Sequence, residues 1–283
     1  MTSTDPRRTR AVVGLGQMGK GIAASFVRAG YHVLGVDPGP VPTPEGVDRV
    51  EATHAIADAP VVVLSLPGSA QVDELVPLIE AQKQPRIIID ASTCPPDDTR
   101  QRAKRLHEAG HLLVDAPVSG GPSGAAAGAL TAFLGCPAER LEEVVDALEP
   151  ITTTVHHVGD TGAGNTAKLL NNLLCATHLS IAQTLLACAA DAKIDPARLL
   201  DAINGASGRS AVTEVNLPRW VLSGSFDSGF PVGLMARDVD LALDLAEESG
   251  SSSDVARATA AMWHELLERT GPRDDFNRMV EQA

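Results

Sequence analysis

Lys168 and Asn172 stand four residues apart in GAGNTAKLLNNLL (162–174), a run otherwise apolar enough to be buried. Side chains at i and i+4 share one helix face, and lysine and asparagine are costly to bury unless something pairs with them. Burial disfavours the charged form of lysine and lowers its pKa from about 10.4 towards neutrality, which turns it into a usable proton carrier. The alternative is a lysine that snorkels to solvent from the start of the helix. Histidine is the more familiar base. However, His156 and His157 sit at a strand end in TTVHHVG and read as structural, and His178 reads as a core residue in mid-helix.

A second group of residues has the spacing of a phosphate cradle. In AVVGLGQMGKGIA, Gly14, Gly16 and Gly19 form G-x-G-x-x-G around Leu15, Gln17 and Met18, directly after a strand pattern and opening a helix. The first glycine permits the tight turn, the second lets a pyrophosphate approach the backbone, and the third lets helix and strand pack closely. Asp37 ends the next strand, 23 residues after Gly14, where a carboxylate can accept from ribose hydroxyls. It repels a 2′-phosphate, and Pro38, Gly39 and Pro40 offer no arginine to bind one, so NAD is favoured over NADP. Leu66 and Pro67 in SLPGS end a following strand and are placed to line the adenosine side; Thr93 in DASTCPP is placed to reach the nicotinamide ribose. Ser119, Gly120 and Gly121 in DAPVSGGPSGAAAGAL would offer a hydroxyl and closely spaced N–H groups to a carboxylate; the other reading is a flexible surface loop.

These residues need elements to hold them. Apolar runs at 11–15, 32–37, 60–66, 86–92 and 111–117 alternate with amphipathic stretches, and a further run at 131–135 extends the pattern to about residue 158. Such alternation predicts an α/β fold: a Rossmann-type, doubly wound parallel sheet covered on both faces. From 163 to 192 there is no proline and no glycine after Gly164, which predicts one long connecting helix. Helices starting at Asp195–Pro196 and near 231–249 and 254–270 make the second half all-helical. The division expected is 1–162 for the NAD-binding domain and 163–283 for a helical domain, to which the family resemblance given below assigns substrate binding and dimerisation.

Composition narrows the partners. A formal charge of −13 repels nucleic acid and anionic membranes alike. Cys94, Cys136, Cys175 and Cys188 show no CxxC pair and no metal spacing, so no metal is expected. The start MTSTDPRRTR lacks a signal-peptide core, and no uninterrupted apolar run reaches the about 18 residues of a membrane helix. The expectation is a cytoplasmic protein.

Taken in order and spacing, GLGQMGKGIA, DASTCPPDDT, DAPVSGGPSGAAAGAL and GAGNTAKLLNN resemble the β-hydroxyacid dehydrogenases, the 3-hydroxyisobutyrate dehydrogenase-related family that includes tartronate semialdehyde reductases. The resemblance covers nearly the whole chain. It implies that Lys168 is the catalytic lysine, that Asn172 helps bind substrate, and that Ser119, Gly120 and Gly121 hold the substrate carboxylate. Thr93 matches a residue near both nicotinamide and substrate. It also implies a homodimer or homotetramer. One position departs: in GLMARDVDLALDLA the family's Lys-Asp is Arg237-Asp238, and arginine is a planar fork rather than a point donor at a place that touches the cofactor.

The implied reaction is hydride transfer between the alcohol carbon of a small 3-hydroxy acid and NAD(P), with Lys168 taking or returning the hydroxyl proton. The segment 205–230 lines the substrate side by this reading, with Arg209, Ser210 and Trp220 as specificity candidates. An imine reductase-like enzyme generally lacks the lysine. A non-catalytic NAD-binding protein, or a methyltransferase, needs neither Lys168 nor Asn172.

Overall fold

The computed structural model describes residues 8–251 and 253–281. The chain divides into two compact units, Met1–Lys168 and Leu169–Ala283. In the first, the order is β1 (Thr9–Val13), α1 (Gln17–Arg28), β2 (His32–Val36), β3 (Val47–Arg49), α2 (Ala52–Asp58), β4 (Val61–Leu64), α3 (Ser69–Glu80) and β5 (Ile87–Asp90). Then come α4 (Pro96–Glu108), β6 (Leu112–Asp115), β7 (Val118–Ser119), α5 (Gly121–Ala127), β8 (Leu130–Gly135), α6 (Leu141–Leu148) and β9 (Thr152–Gly159).

The strands form one sheet in the order β3-β2-β1-β4-β5-β6-β8-β7, with β9 on β8. From β3 to β6 every pairing is parallel. Beyond that, β8 runs antiparallel to β6, meeting it at Asp115 and Gly135, and β9 lies parallel to β8. Because successive side chains point to opposite faces, β1 sends Val12 into one core with Ile22, Phe26, Val63 and Ile89. Ala11 and Val13 enter the other, with Ile56, Val62, Ile79 and Ile88. That explains why strands such as VVVL are apolar at every position: both faces are covered.

Three elements depart from the sequence reading. β3 and β7 are too short to leave a pattern. The glycine-rich stretch after β7 is not a loop throughout, because α5 forms there despite its poor propensity. Tertiary packing decides it: a Cβ on Gly21 of α1 would lie 2.7 Å from the Ala126 nitrogen of α5, and Ser25 donates to the Ala125 carbonyl at 2.8 Å. Helix–helix approach this close requires small residues on both sides.

α7 (Ala163–Asp191) begins in the first unit and runs on into the second. The second unit continues with α8 (Pro196–Asn204), a π-helix (Val212–Val221), α9 (Val232–Glu248), α10 (Asp254–Thr270) and a 3₁₀ turn (Phe276–Val280). Asp195 caps α8 by accepting from the Arg198 N–H at 3.0 Å, as its position before Pro196 suggests. Ala176, Leu179, Leu217, Val239 and Trp263 build this unit's core. The Trp263 indole N–H donates to the Ala176 carbonyl at 3.3 Å.

Two expectations about α7 need correction. Although polar residues interrupt its apolar runs, the helix as a whole is long and apolar enough, by length and composition, to cross a membrane. In this fold Ala176, Leu179 and Ala182 point into the core, whereas Leu170, Leu174 and Ile181 are exposed. His178 lies on the exposed side too, so it is not a core residue.

The C-terminal ends of β5 and β6 set Asp90 and Asp115 side by side in register. Both carboxyls are buried, and desolvation pushes each up to about 6. A carboxyl whose folded pKa exceeds its unfolded value binds more protons when folded, so its contribution to stability falls as pH rises from 3.8 to about 6. Asp90→Asn should therefore flatten the dependence of melting temperature on pH across that window. An unchanged slope in a calorimetric pH series would contradict this.

Candidate active site

The glycine loop between β1 and α1 leaves no room for side chains at two positions and leaves open space at the third. A Cβ on Gly14, whose φ is +92°, would lie 2.2 Å from the Ser65 carbonyl oxygen; one on Gly19 would lie 1.7 Å from that of Gly14. At Gly16 a Cβ would meet nothing within 4 Å. Gly16 is also the N-cap of α1, and no side chain caps that end. The first-turn N–H groups of α1 therefore face an open position at the positive end of a helix, which suits a pyrophosphate. Leu15 is buried, Gln17 exposed and Met18 half-buried.

Asp37 follows β2 and closes on this loop. Its Oδ2 accepts from the Leu15 N–H at 2.8 Å and its Oδ1 from the Gly39 N–H at 2.8 Å. Each oxygen keeps a lone pair for a ribose hydroxyl. The structure adds an arginine that the residues next to Asp37 do not offer. Arg49, the last residue of β3, donates to the carbonyls of Asp37, Gly39 and Val41. It braces the loop from twelve residues away, where only the parallel pairing of β2 and β3 brings it close.

Leu66 lies against the glycine turn, 3.2 Å from the position of a Gly14 Cβ, and its N–H donates to Ser92 Oγ at 3.0 Å. That bond links the SLPGS loop, which includes exposed Pro67, to the loop after β5 that carries Thr93. Ser119 ends β7 opposite Thr131. Gly120 and Gly121 follow with φ of +122° and +65°, conformations that glycine adopts without a Cβ penalty.

The first turn of α7 is tied down from several directions within the same unit. Asp115 Oδ1 accepts from the Gly162 N–H at 2.6 Å, and Oδ2 from the Asn165 N–H at 2.7 Å. Asn165 is fully buried; its Oδ1 accepts from the Cys94 N–H at 3.0 Å, and its Nδ2 donates to Thr99 Oγ1 at 3.1 Å. The sequence reading singled out neither Asn165 nor Asp115 as a site residue. Lys168 follows on the same helix with its side chain buried.

One turn further on, Asn172 is buried, and its Nδ2 donates to Asp238 Oδ2 at 2.7 Å. Asp238, on α9, is 1% exposed. Its other oxygen accepts from Arg237 Nε at 3.1 Å and Nη2 at 2.7 Å. The fork that departs from the family pattern is thus bound to its own neighbour. In the sequence reading Asp238 entered only as the neighbour of Arg237 in that motif; the polar Asn172 on an apolar helix was the available sign that a buried partner existed.

The other candidates are engaged elsewhere. Ser210 and Thr213 cap each other at the start of the π-helix, and Arg209 pairs with Glu214 at 3.7 Å. His156 and His157 are exposed on β9, with His157 Nε2 2.8 Å from the Cys136 carbonyl. Among the described residues no cluster of His, Cys, Asp or Glu is placed to hold a metal.

Comparison with known proteins accounts for both halves. Residues 9–159 match the family model for the NAD binding domain of 6-phosphogluconate dehydrogenase. Residues 162–283 match that for the NAD-binding region of NADP-dependent 3-hydroxyisobutyrate dehydrogenase. The 2-(hydroxymethyl)glutarate dehydrogenase of Eubacterium barkeri is 32% identical over 90% of this chain and 87% of its own length. The chain belongs to the β-hydroxyacid dehydrogenase family. Another relative, the L-threonate dehydrogenase of Cupriavidus necator, is 34% identical over 86% of this chain and 84% of its own. The solved 3-hydroxyisobutyrate dehydrogenase of Mycobacterium tuberculosis, with L-serine, is 30% identical, has a TM-score of 0.87, and matches over 96% of this chain and 97% of its own. The protein is accordingly an NAD(P)-dependent hydroxyacid dehydrogenase that acts on CH–OH.

The glycine loop separates binding from folding. Gly16→Ala should leave the melting temperature within about 2 °C, since its Cβ meets only open space. It should weaken dinucleotide binding by more than about tenfold, measured by titration calorimetry. Gly19→Ala should lower the melting temperature outright, because its Cβ has nowhere to go. Equal effects of the two substitutions on stability would refute this division.

Proposed function

We propose that the chain transfers a hydride between a short 3-hydroxy acid and NAD, using Lys168 as general acid and base. The observation that carries this reading is a buried lysine on α7 one turn before Asn172, whose amide is held by buried Asp238. The substrate class has support from the relatives: 2-(hydroxymethyl)glutarate, after which one is named, and L-serine, solved with another, both carry a CH₂OH on a carboxylate-bearing carbon.

Bound NAD supplies the hydride acceptor in oxidation and, once reduced, the donor in the reverse direction. The chain's residues do the rest. Neutral Lys168 Nζ takes the hydroxyl proton as the carbonyl forms; in reduction its ammonium returns that proton. Asn172 donates one amide hydrogen to Asp238, and its Oδ1 accepts from Asn171 Nδ2 at 3.2 Å. A carboxamide has two hydrogens and two oxygen lone pairs, so one of each remains to orient the substrate hydroxyl. Ser119, Gly120 and Gly121 hold the carboxylate, and Thr93 serves substrate and nicotinamide ribose together.

The dinucleotide is held by Gly14 to Gly19 at its pyrophosphate, by Asp37 at its adenosine ribose, and by Leu66, Pro67 and Arg237. NAD is preferred to NADP because the Asp37 carboxylate repels a 2′-phosphate and the nearby Arg49 donates to loop carbonyls. Residues 163–283 form the substrate and dimerisation domain. The enzyme works in the cytoplasm as a homodimer or homotetramer, a reading supported by Leu170, Leu174 and Ile181, which leave a row of α7 apolar and exposed.

One assay tests the chemistry: a panel of 3-hydroxy acids with NAD and NADP, followed by absorbance of the reduced cofactor. Wild type should turn over at least one of them, faster with NAD. Lys168→Ala should lose about a hundredfold or more in kcat while its NAD affinity is retained; retained turnover rejects the lysine mechanism. For assembly, Leu174→Asp should reduce the mass measured by light scattering, and an unchanged mass would count against α7 as the contact.

A further inference from the structure

Asp115 is a fully buried carboxylate for which the mechanism above has no use. Isolated buried charges are costly, and burial holds this one's pKa up at about 6. Its geometry shows what it does. Standing at the end of β6, it places one oxygen on the Gly162 N–H and the other on the Asn165 N–H, the orphan donors at the start of α7. A negative group at a helix N-terminus is on the favourable end of the helix dipole.

The turn it holds has no slack. A Cβ on Gly164 would lie 2.3 Å from the Phe133 carbonyl oxygen and 2.9 Å from Asp115 Oδ2. On the other side, a Cβ on Gly135 would lie 2.4 Å from Asp115 Oδ1. The Asn165 carboxamide then fastens the same turn to Cys94, next to Thr93, and to Thr99 of α4. Lys168 comes three residues after Asn165, so its Cα–Cβ direction follows from that turn.

We infer that Asp115 and Asn165 are positioning residues for the reaction, acting through the first turn of α7 on the placement of Lys168. The inference rests on Lys168 being the acid–base group. A carboxylate is needed at 115 because both of its oxygens accept. Asparagine there would keep one acceptor and set an NH₂ against the second backbone N–H. The turn would then lose one of its two anchors and shift, and the lysine with it.

A double-mutant cycle in the full-length enzyme tests this, using wild type, Asp115→Asn, Lys168→Ala and the pair. Asp115→Asn should lower kcat by about tenfold to a hundredfold, the scale expected of a misplaced catalytic group. KM and NAD affinity should stay within about twofold, since neither depends on the lysine's aim. In the Lys168→Ala background the same substitution should change residual kcat by less than about twofold, because the residue it aims is gone.

Equal fold losses in both backgrounds would overturn the inference in favour of a purely structural role. So would wild-type kcat in Asp115→Asn. Full turnover in Lys168→Ala would instead bring down the acid–base reading, and this inference with it. If Asp115→Asn fails to fold, Asn165→Ala releases the same turn from its other side and is judged by the same cycle.

Discussion

Two backbone hydrogen bonds from the start of α7 to the carboxylate of Asp115 are the constraint on which the site's geometry rests. They anchor the helix to the end of β6, and the Asn165 amide anchors it again to the loop after β5. A helix fixed at its first turn is fixed where Lys168 leaves it, so by the inference above the direction of Lys168 follows from these bonds rather than from local propensity. Lys168 and Asn172 share a face because they are i and i+4 on that helix.

Three aspartates, Asp37 half-buried and Asp90 and Asp115 buried, each hold backbone N–H groups in place. Asp37 holds the glycine turn by the Leu15 N–H, Asp90 accepts from the Ser92 N–H at 2.9 Å, and Asp115 holds α7. All three stand at the carboxyl ends of strands in the parallel part of the sheet, Asp37 just after β2 and the others as the last residues of β5 and β6, where α/β folds bind ligands. The desolvation cost at Asp90 and Asp115 is visible as raised pKa values. The return is a set of loops with little freedom to relax, and a group that must transfer a proton or face a pyrophosphate needs that rigidity.

What could be read from the sequence divides by range. The parallel strands, the G-x-G-x-x-G loop, Asp37 and the long helix are written in short windows: VVVL is apolar throughout, IIID is apolar up to its final aspartate, and 165–191 contains no glycine or proline. The family match agrees with that reading across both halves. What stayed hidden is either too short or too distant. β7 is two residues long, and α5 is built from glycines and alanines that become helical only against α1. Asp115 meets Gly162 and Asn165 across 47 and 50 residues, and Asn172 meets Asp238 across 66. No spacing rule reaches that far; the topology makes these pairs. Arg49 was missed for the same reason, since it enters the Asp37 loop through sheet pairing rather than adjacency.

The substitution of arginine for the family's lysine at 237 is best understood from the carboxylate beside it. Residues i and i+1 on a helix do not face each other, so pairing Arg237 with Asp238 requires a long side chain that folds back. The guanidinium does this with two donors, Nε and Nη2, both on Oδ1. The other oxygen, Oδ2, accepts from Asn172. A carboxylate accepts and cannot donate, so the Asn172 amide must present its nitrogen to Asp238 and turn its oxygen the other way. The arginine therefore supplies the countercharge for a buried acid without competing for the oxygen that sets the amide's orientation.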